Sequence, residues 1–317
     1  MTKAEKIIGS LVLILGLAAL FFWKDIRSIT SGETQLFSEQ STVGKKKEKK
    51  KEKVKEGKNP SATASDPAIK IIEKWDLPSE LKEISGITYI GYDQFACVQD
   101  ELGKIFVFNT KSRKVEKEIG FAGAGDYEGI ALVNSTIYVL RADGKLFEVQ
   151  HYNEPEPTII EHSTHLTEKQ NVEGLSYDKR NNRLLLAIKG KEPQSNDYKG
   201  IYAFDLTTKK SATTAVYRID LNHSLFKETK GKNKIQPSDL EVHPATGDVY
   251  VIDGPGPGLL VLDSDGNKKN LYRLSSSDFS QPEGITFNDA GELFISNEGT
   301  SGDGNILKVE IVEEESN

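Results

Sequence analysis

A short motif that recurs five times limits what this chain can fold into. Each copy places a small or acidic residue two or three positions before an apolar one, as in Ser-Gly-Ile and Glu-Gly-Leu. The central apolar residues are Ile87, Ile130, Leu175, Leu240 and Ile285. They are 43, 45, 65 and 45 residues apart, which gives a period near 45 with one longer interval. This period is typical of β-propeller blades.

Each repeat contains further short apolar runs. In the second repeat they fall at 136–140, 146–149 and 158–160, and Asp143-Gly144 separates the first two. β-Branched and aromatic runs divided by Asp-Gly turns predict antiparallel hairpins. Motif and runs together supply four strands, which is the content of one propeller blade.

The fifth repeat supplies only three strands, counting its motif as the first. An unassigned strand, 69–75, precedes the first repeat. If these two ends of the domain pair, the ring closes and an exposed sheet edge disappears. The sequence therefore predicts an all-β, five-bladed β-propeller over residues 69–317. A six-bladed ring remains the alternative, with a further blade in the longer interval around 223–234.

The first 68 residues have a different character. Residues 7–23 carry no charge and are bordered by Lys on both sides. This length is at the short end for a membrane-spanning helix. Its aromatic end favours a retained signal anchor within residues 1–27 over a cleaved signal peptide. We therefore expect a single-pass membrane protein that contacts the bilayer through residues 7–23.

Residues 28–68 show no hydrophobic periodicity, and the tract 45–58 holds nine Lys and three Glu. Such a composition predicts a disordered Lys-rich linker. The whole chain has a formal net charge of −7, which argues against nucleic acid as a partner. The single cysteine, Cys97, excludes an internal disulfide and a zinc site made of several cysteines.

The repeats as a series carry a resemblance. They read SGITY, YEGIAL, VEGLSYD, PSDLEVHP and PEGITF, and the last is followed by LFISNEG. Over residues 75–311 this series resembles the SdiA-regulated (YjiK-like) family of bacterial proteins, which have an N-terminal anchor and a small exported β-propeller. The resemblance implies a propeller on the extracytoplasmic side of the membrane. It implies almost nothing about mechanism.

Candidate site residues follow from blade geometry, because the first strand of each blade lines the central channel. One residue per repeat is expected at one channel mouth: Ser85, Glu128, Glu173, Asp239 and Glu283. The ends of the second strands should lie close by, with Asp100, Glu101, Arg141, Lys189, Asp253, Asn297 and Glu298.

Converging carboxylates repel each other, so this ring needs a compensating cation. One candidate is Ca²⁺, with Glu128, Glu173, Asp239 and Glu283 as ligands. The other is internal: Arg141 and Lys189 pair with Glu128 and Glu173 in a structural network without metal.

Two functions are open at this point. The first is a tethered binding or scaffold module for a small ligand, a glycan or another envelope protein. The alternative is a metal-dependent hydrolase of phosphoesters or lactones with its site at the channel mouth. The sequence has no GxSxG, HExxH or P-loop motif that would favour another enzyme class.

Overall fold

The computed structural model describes residues 68–193, 195–223, 235–300 and 302–312. Their regular elements are β-strands and two 3₁₀ segments, Ser79–Leu81 and Lys179–Asn181. The predicted anchor at 7–23 and nearly all of the predicted linker lie outside the described residues. Within those four ranges, no helix is long and apolar enough to cross a membrane.

Five antiparallel sheets, which are the blades, contain all the strands. Blade 1 consists of β2 (Ile84–Gly91), β3 (Gln94–Gln99), β4 (Lys104–Asn109) and β5 (Lys114–Gly120). Blade 2 consists of β6 (Tyr127–Val133), β7 (Thr136–Arg141), β8 (Leu146–Gln150) and β9 (Thr158–His162). Blade 3 consists of β10 (Val172–Asp178), β11 (Arg183–Ile188), β12 (Tyr198–Asp205), β13 (Lys210–Ser211) and β14 (Tyr217–Asp220). Blade 4 consists of β15 (Pro237–Val242), β16 (Val249–Asp253), β17 (Gly258–Leu262) and β18 (Lys268–Arg273). Blade 5 consists of β19 (Pro282–Phe287), β20 (Leu293–Asn297), β21 (Asn305–Ile311) and β1 (Ile69–Asp76).

The innermost strands close into a ring. β2 contacts β6, β6 contacts β10, β10 contacts β15, β15 contacts β19, and β19 returns to β2. The longer repeat interval lies between β10 and β15, and these two strands contact each other directly. The five-bladed prediction is confirmed and the six-bladed alternative is wrong. The insertion itself, apart from His223, lies outside the described residues.

Ring closure occurs in blade 5, where the first strand of the domain pairs with the last. β1 is antiparallel to β21, with Ile69 opposite Ile311 and Trp75 opposite Ile306. Trp75 is 6% exposed and its ring centroid lies 6.2 Å from that of Phe294. The predicted pairing is confirmed, and it joins the two ends of the domain through one sheet.

The apolar core is divided into five layers, one between each pair of adjacent blades. The middle strands are apolar on both faces because each sheet is packed between two others; β17 (GLLVL) is buried throughout. The outer strands alternate, and β5 (KVEKEIG) exposes every second residue. The sequence difference between inner and outer strands therefore follows from their radial position.

Candidate functional site: an acidic channel mouth

A β-bulge interrupts the first strand of every blade at the same place. The strand pairing skips one residue between the first and third positions of each motif. The unpaired residues are Ser85, Glu128, Glu173, Ser238 and Glu283. Bulges re-aim side chains and are frequent beside functional sites. Five equivalent bulges thus set the side chains at one mouth of the channel.

This register corrects one sequence-based assignment. Ser238, and not Asp239, is the fourth member of the set, since the pairing shift in blade 4 lies between Pro237 and Asp239. The hydroxyl of Ser238 donates to Pro282 O at 2.7 Å, as the hydroxyl of Ser85 donates to Tyr127 O at 2.6 Å. Both serines therefore link neighbouring blades through a hydrogen bond. The other three blades have a glutamate at this position.

Asp239 occupies the next position, which is glycine in the other four blades. At Gly129 a Cβ atom would lie 2.6 Å from Leu175 Cβ, so the neighbouring strand leaves no space for a side chain there. In blade 4 the carboxyl of Asp239 accepts backbone N–H groups from Leu175 (3.1 Å), Leu240 (2.8 Å) and Ile285 (3.0 Å). Asp239 therefore links the inner strands of blades 3, 4 and 5, and burial raises its pKa well above the usual range.

The three glutamates of the bulges, Glu128, Glu173 and Glu283, form what we call the acidic mouth. Burial raises the pKa of all three, and each is close enough to another member or to Lys189 to shift it electrostatically. The pKa of Glu128 rises to about 9, first through burial and then through Glu173. Burial and the neighbouring carboxylates therefore favour the protonated form of Glu128 at neutral pH.

Lys189 is the cation that the acidic mouth contains. It follows β11, and its Nζ lies 2.7 Å from Glu173 Oε2, with the carboxylate side chain 4% exposed. Burial lowers the pKa of Lys189, but Glu173, Glu283 and Glu128 outweigh that effect and raise it. Half of the predicted internal network is thus present, between Lys189 and Glu173.

Further acids extend the site. Burial, followed by Glu83 and Glu101, raises the pKa of Asp100, whose Oδ1 is buried without a hydrogen-bond partner among the described residues. Burial and then Glu283 raise the pKa of Glu298. The amide of Gln281 donates to Glu298.

Asp253 and Lys199 lie on the blade 4 and blade 3 side of the site. Asp253 Oδ1 accepts the N–H of Gln236 at 3.2 Å, and burial raises its pKa to about 6. Lys199 Nζ donates to the carbonyls of Lys189 and Gly190, and burial lowers its pKa. Lys199 therefore holds the loop that carries Lys189.

Two predicted residues have other partners. Arg141 Nη2 bonds to Asp143 Oδ2 at 2.6 Å and does not pair with Glu128. Asn297 is fully buried and donates to Asn305 Oδ1 at 2.9 Å. Sequence reasoning missed Gln281, Lys199 and Asp126, whose charge adds to burial and Glu173 in raising the pKa of Glu128. Asp126 and Gln281 directly precede a motif, whereas Lys199 has no motif beside it.

The four predicted Ca²⁺ ligands do not form one coordination shell in this arrangement. Asp239 uses both carboxyl oxygens on backbone N–H groups, and Glu173 is paired with Lys189. Across the described ranges, no group of three or more His, Cys, Asp or Glu side chains is arranged to hold a metal. Ca²⁺ binding at the channel mouth stays a prediction.

The chain is similar to several solved structures at low sequence identity. Glutaminyl cyclase from Myxococcus xanthus is 13% identical, with a TM-score of 0.53 over 77% of this chain and 97% of that chain. A protein of unknown function from Bacteroides thetaiotaomicron is 15% identical, with a TM-score of 0.47 over 72% of this chain and 58% of that chain. The PQQ-bound aldose sugar dehydrogenase from Streptomyces coelicolor is 11% identical, with a TM-score of 0.47 over 76% and 97%.

The likeness to the glutaminyl cyclase shows the propeller fold and nothing about chemistry. No curated protein matches the sequence. The family model described as SdiA-regulated matches residues 69–300, from β1 to the loop that follows β20. The matched segment includes all five motifs and every residue of the acidic mouth, and the chain belongs to the SdiA-regulated family.

Proposed function

We propose that this protein is a membrane-tethered, extracytoplasmic binding module whose acidic mouth binds a positively charged group of a ligand. A primary amine carried by a small molecule, a glycan or a peptide of an envelope protein has the required chemistry. The tether and the location rest on the uncharged run at 7–23 and on the expectation drawn from the family.

The observation that carries the proposal is the imbalance of charge at the acidic mouth. Glu128, Glu173 and Glu283 share one ion-paired lysine, and Asp100 and Glu298 add negative potential. A cation placed there replaces the proton that Glu128 holds and relieves the repulsion. An anionic ligand would have to overcome the same field.

The experiment is thermal melting of the full chain in mild detergent and low salt, with spermidine or Ca²⁺ added separately. A ligand that binds only the native state raises the melting temperature in a saturable manner. We expect spermidine to produce this rise with the wild-type protein. The rise should be lost in Glu128→Gln and Glu283→Gln.

Glu310→Gln is the matched control, because Glu310 is an exposed glutamate on β21 in the outer part of blade 5. It should respond to spermidine as the wild type does. An unchanged spermidine response in both mouth variants would refute the proposal.

The Ca²⁺ arm tests the alternative. A saturable rise with Ca²⁺ but none with spermidine, again lost in Glu283→Gln, would favour the metal-dependent hydrolase and would replace the amine proposal. Phosphoesters and lactones are then the substrates to assay with that metal.

Location has its own test. Alkaline phosphatase and a cytoplasmic fluorescent protein are each fused after the last residue. Active phosphatase supports the extracytoplasmic propeller, whereas fluorescence with silent phosphatase overturns it.

A further inference from the structure

The channel has a second opening, at the end opposite the acidic mouth. A pocket of about 350 Å³ lies there, and each of the five blades contributes to its lining. We call it the distal pocket. It is separated from the acidic mouth by the bulge-adjacent glycines and Asp239, which fill the channel between the inner strands.

An apolar ring surrounds the distal pocket. Each inner strand contributes its sixth motif residue, and all five side chains are partly exposed and line the pocket. They are Tyr89, Leu132, Tyr177, Val242 and Phe287. Each also packs against a different interblade core layer, so the ring is held by the fold. The ring gives the body of an organic ligand apolar surface to pack on, beside polar surface of at least equal extent.

The polar groups of the distal pocket are unequally charged. Lys179 and Arg180 line it, and Arg180 is fixed by donating from Nη2 to Ala245 O at 2.8 Å. Asp289 is the exposed acid in the lining. His243 accepts two backbone N–H groups at Nδ1, and burial lowers its pKa, so its ring is neutral at pH 7.

The remaining acid, Glu241, lies beside Ser176, whose hydroxyl donates to Glu241 Oε1 at 3.1 Å. Burial raises the pKa of Glu241 to about 8, so it is mainly protonated at neutral pH. Two cations therefore face one ionised acid around an apolar ring. This charge balance is opposite in sign to that of the acidic mouth.

We propose that the distal pocket is a second binding site, for a small organic monoanion with an apolar body. The apolar body would lie within the ring, and the anionic group would face Lys179 and Arg180. The site is independent of the acidic mouth, which is on the other side of Asp239.

The test is a fluorescence titration of the full chain with 8-anilinonaphthalene-1-sulfonate, an apolar monoanion. We expect saturable binding to a single site that decanoate displaces and decylammonium does not. Lys179→Glu should weaken this binding about fivefold, the size expected when an exposed ion pair is replaced by a repulsion. Lys179 is exposed, so this variant should keep the wild-type melting temperature.

Lys114→Glu is the matched control, an exposed lysine on β5 that is not among the residues lining the pocket. It should bind the probe as the wild type does, and so should Glu128→Gln, which separates this site from the proposed function. Absence of saturable binding, displacement by decylammonium equal to that by decanoate, or equal affinity in Lys179→Glu and Lys114→Glu would each overturn the proposal.

Discussion

Replacing Glu241 by glutamine should make the protein more stable, and increasingly so as the pH rises from 5 to 8. The pKa of Glu241 rises from an ordinary value of 4.5 to about 8 because its half-buried carboxyl, in the lining of the distal pocket, is desolvated. Between these pH values the folded state holds a proton that the unfolded state has released. Its stability therefore falls as the pH rises through this window and levels off above pH 8.

The magnitude follows from the shift. Each pKa unit corresponds to about 1.4 kcal/mol, so a shift from 4.5 to 8 sets a ceiling of about 5 kcal/mol. Structural relaxation and water entry reduce this, and we expect at least about 1 kcal/mol to remain. Glutamine keeps an oxygen that can accept the hydrogen bond from the Ser176 hydroxyl, and its side chain does not titrate between pH 5 and pH 8.

The assay is urea unfolding of both proteins at pH 5, 6, 7 and 8. Subtracting the two stability curves cancels the other titrating groups, including those of the acidic mouth. Glu73→Gln, a substitution at an exposed position of β1, serves as the matched control and should leave the curve of the wild type unchanged. A difference between Glu241→Gln and wild type that is the same at pH 5 and pH 8 would show that the pKa of Glu241 is not raised in the folded state.

Three further substitutions test the fold and the site. Asp239→Ala removes the acceptor of three backbone N–H groups and should lower the free energy of unfolding by at least about 3 kcal/mol in urea, with Asp239→Asn losing less. Trp75→Ala should cost about 3 to 5 kcal/mol because it opens the packing against Phe294 in the closing blade; an equal cost for the half-exposed Ile72→Ala would contradict this. Lys189→Met leaves Glu173 buried without its cation and should cost about 3 kcal/mol at pH 8 and less at pH 5, where Glu173 is protonated; a cost independent of pH would count against the ion pair.

The parts of the fold that were predicted from sequence depend on local patterns. A few neighbouring residues are enough to recognise the five motifs and the hairpin turns. The pairing of β1 with β21 follows from the strand that the fifth repeat lacks. Glu128, Glu173 and Glu283 were placed at one mouth because each precedes a glycine in the same motif. Repetition made the inference possible, since one blade alone would not show which residue lines the channel.

The wrongly predicted site residues have two causes. One is the strand register at the bulge in blade 4, and the other is a nearer carboxylate that takes the predicted partner's place. Asp239 was placed beside the glutamates because it is acidic, whereas the bulge gives that place to Ser238. Arg141 pairs with Asp143, two residues away in the turn, and not with Glu128 on the adjacent strand of the same blade. Lys199 lies on the third strand of blade 3, and only the folded blade brings it to the loop after β11.

Calorimetric titration with spermidine at pH 8 tests whether the acidic mouth binds a cation in exchange for a proton. Run in buffers of different ionisation enthalpy, the titration counts the protons released. Because the pKa of Glu128 is raised to about 9, we expect release of up to about one proton per bound spermidine, and none from Glu128→Gln. Binding without proton release by the wild-type protein, or release that is equal in Glu128→Gln, would contradict this exchange at the acidic mouth.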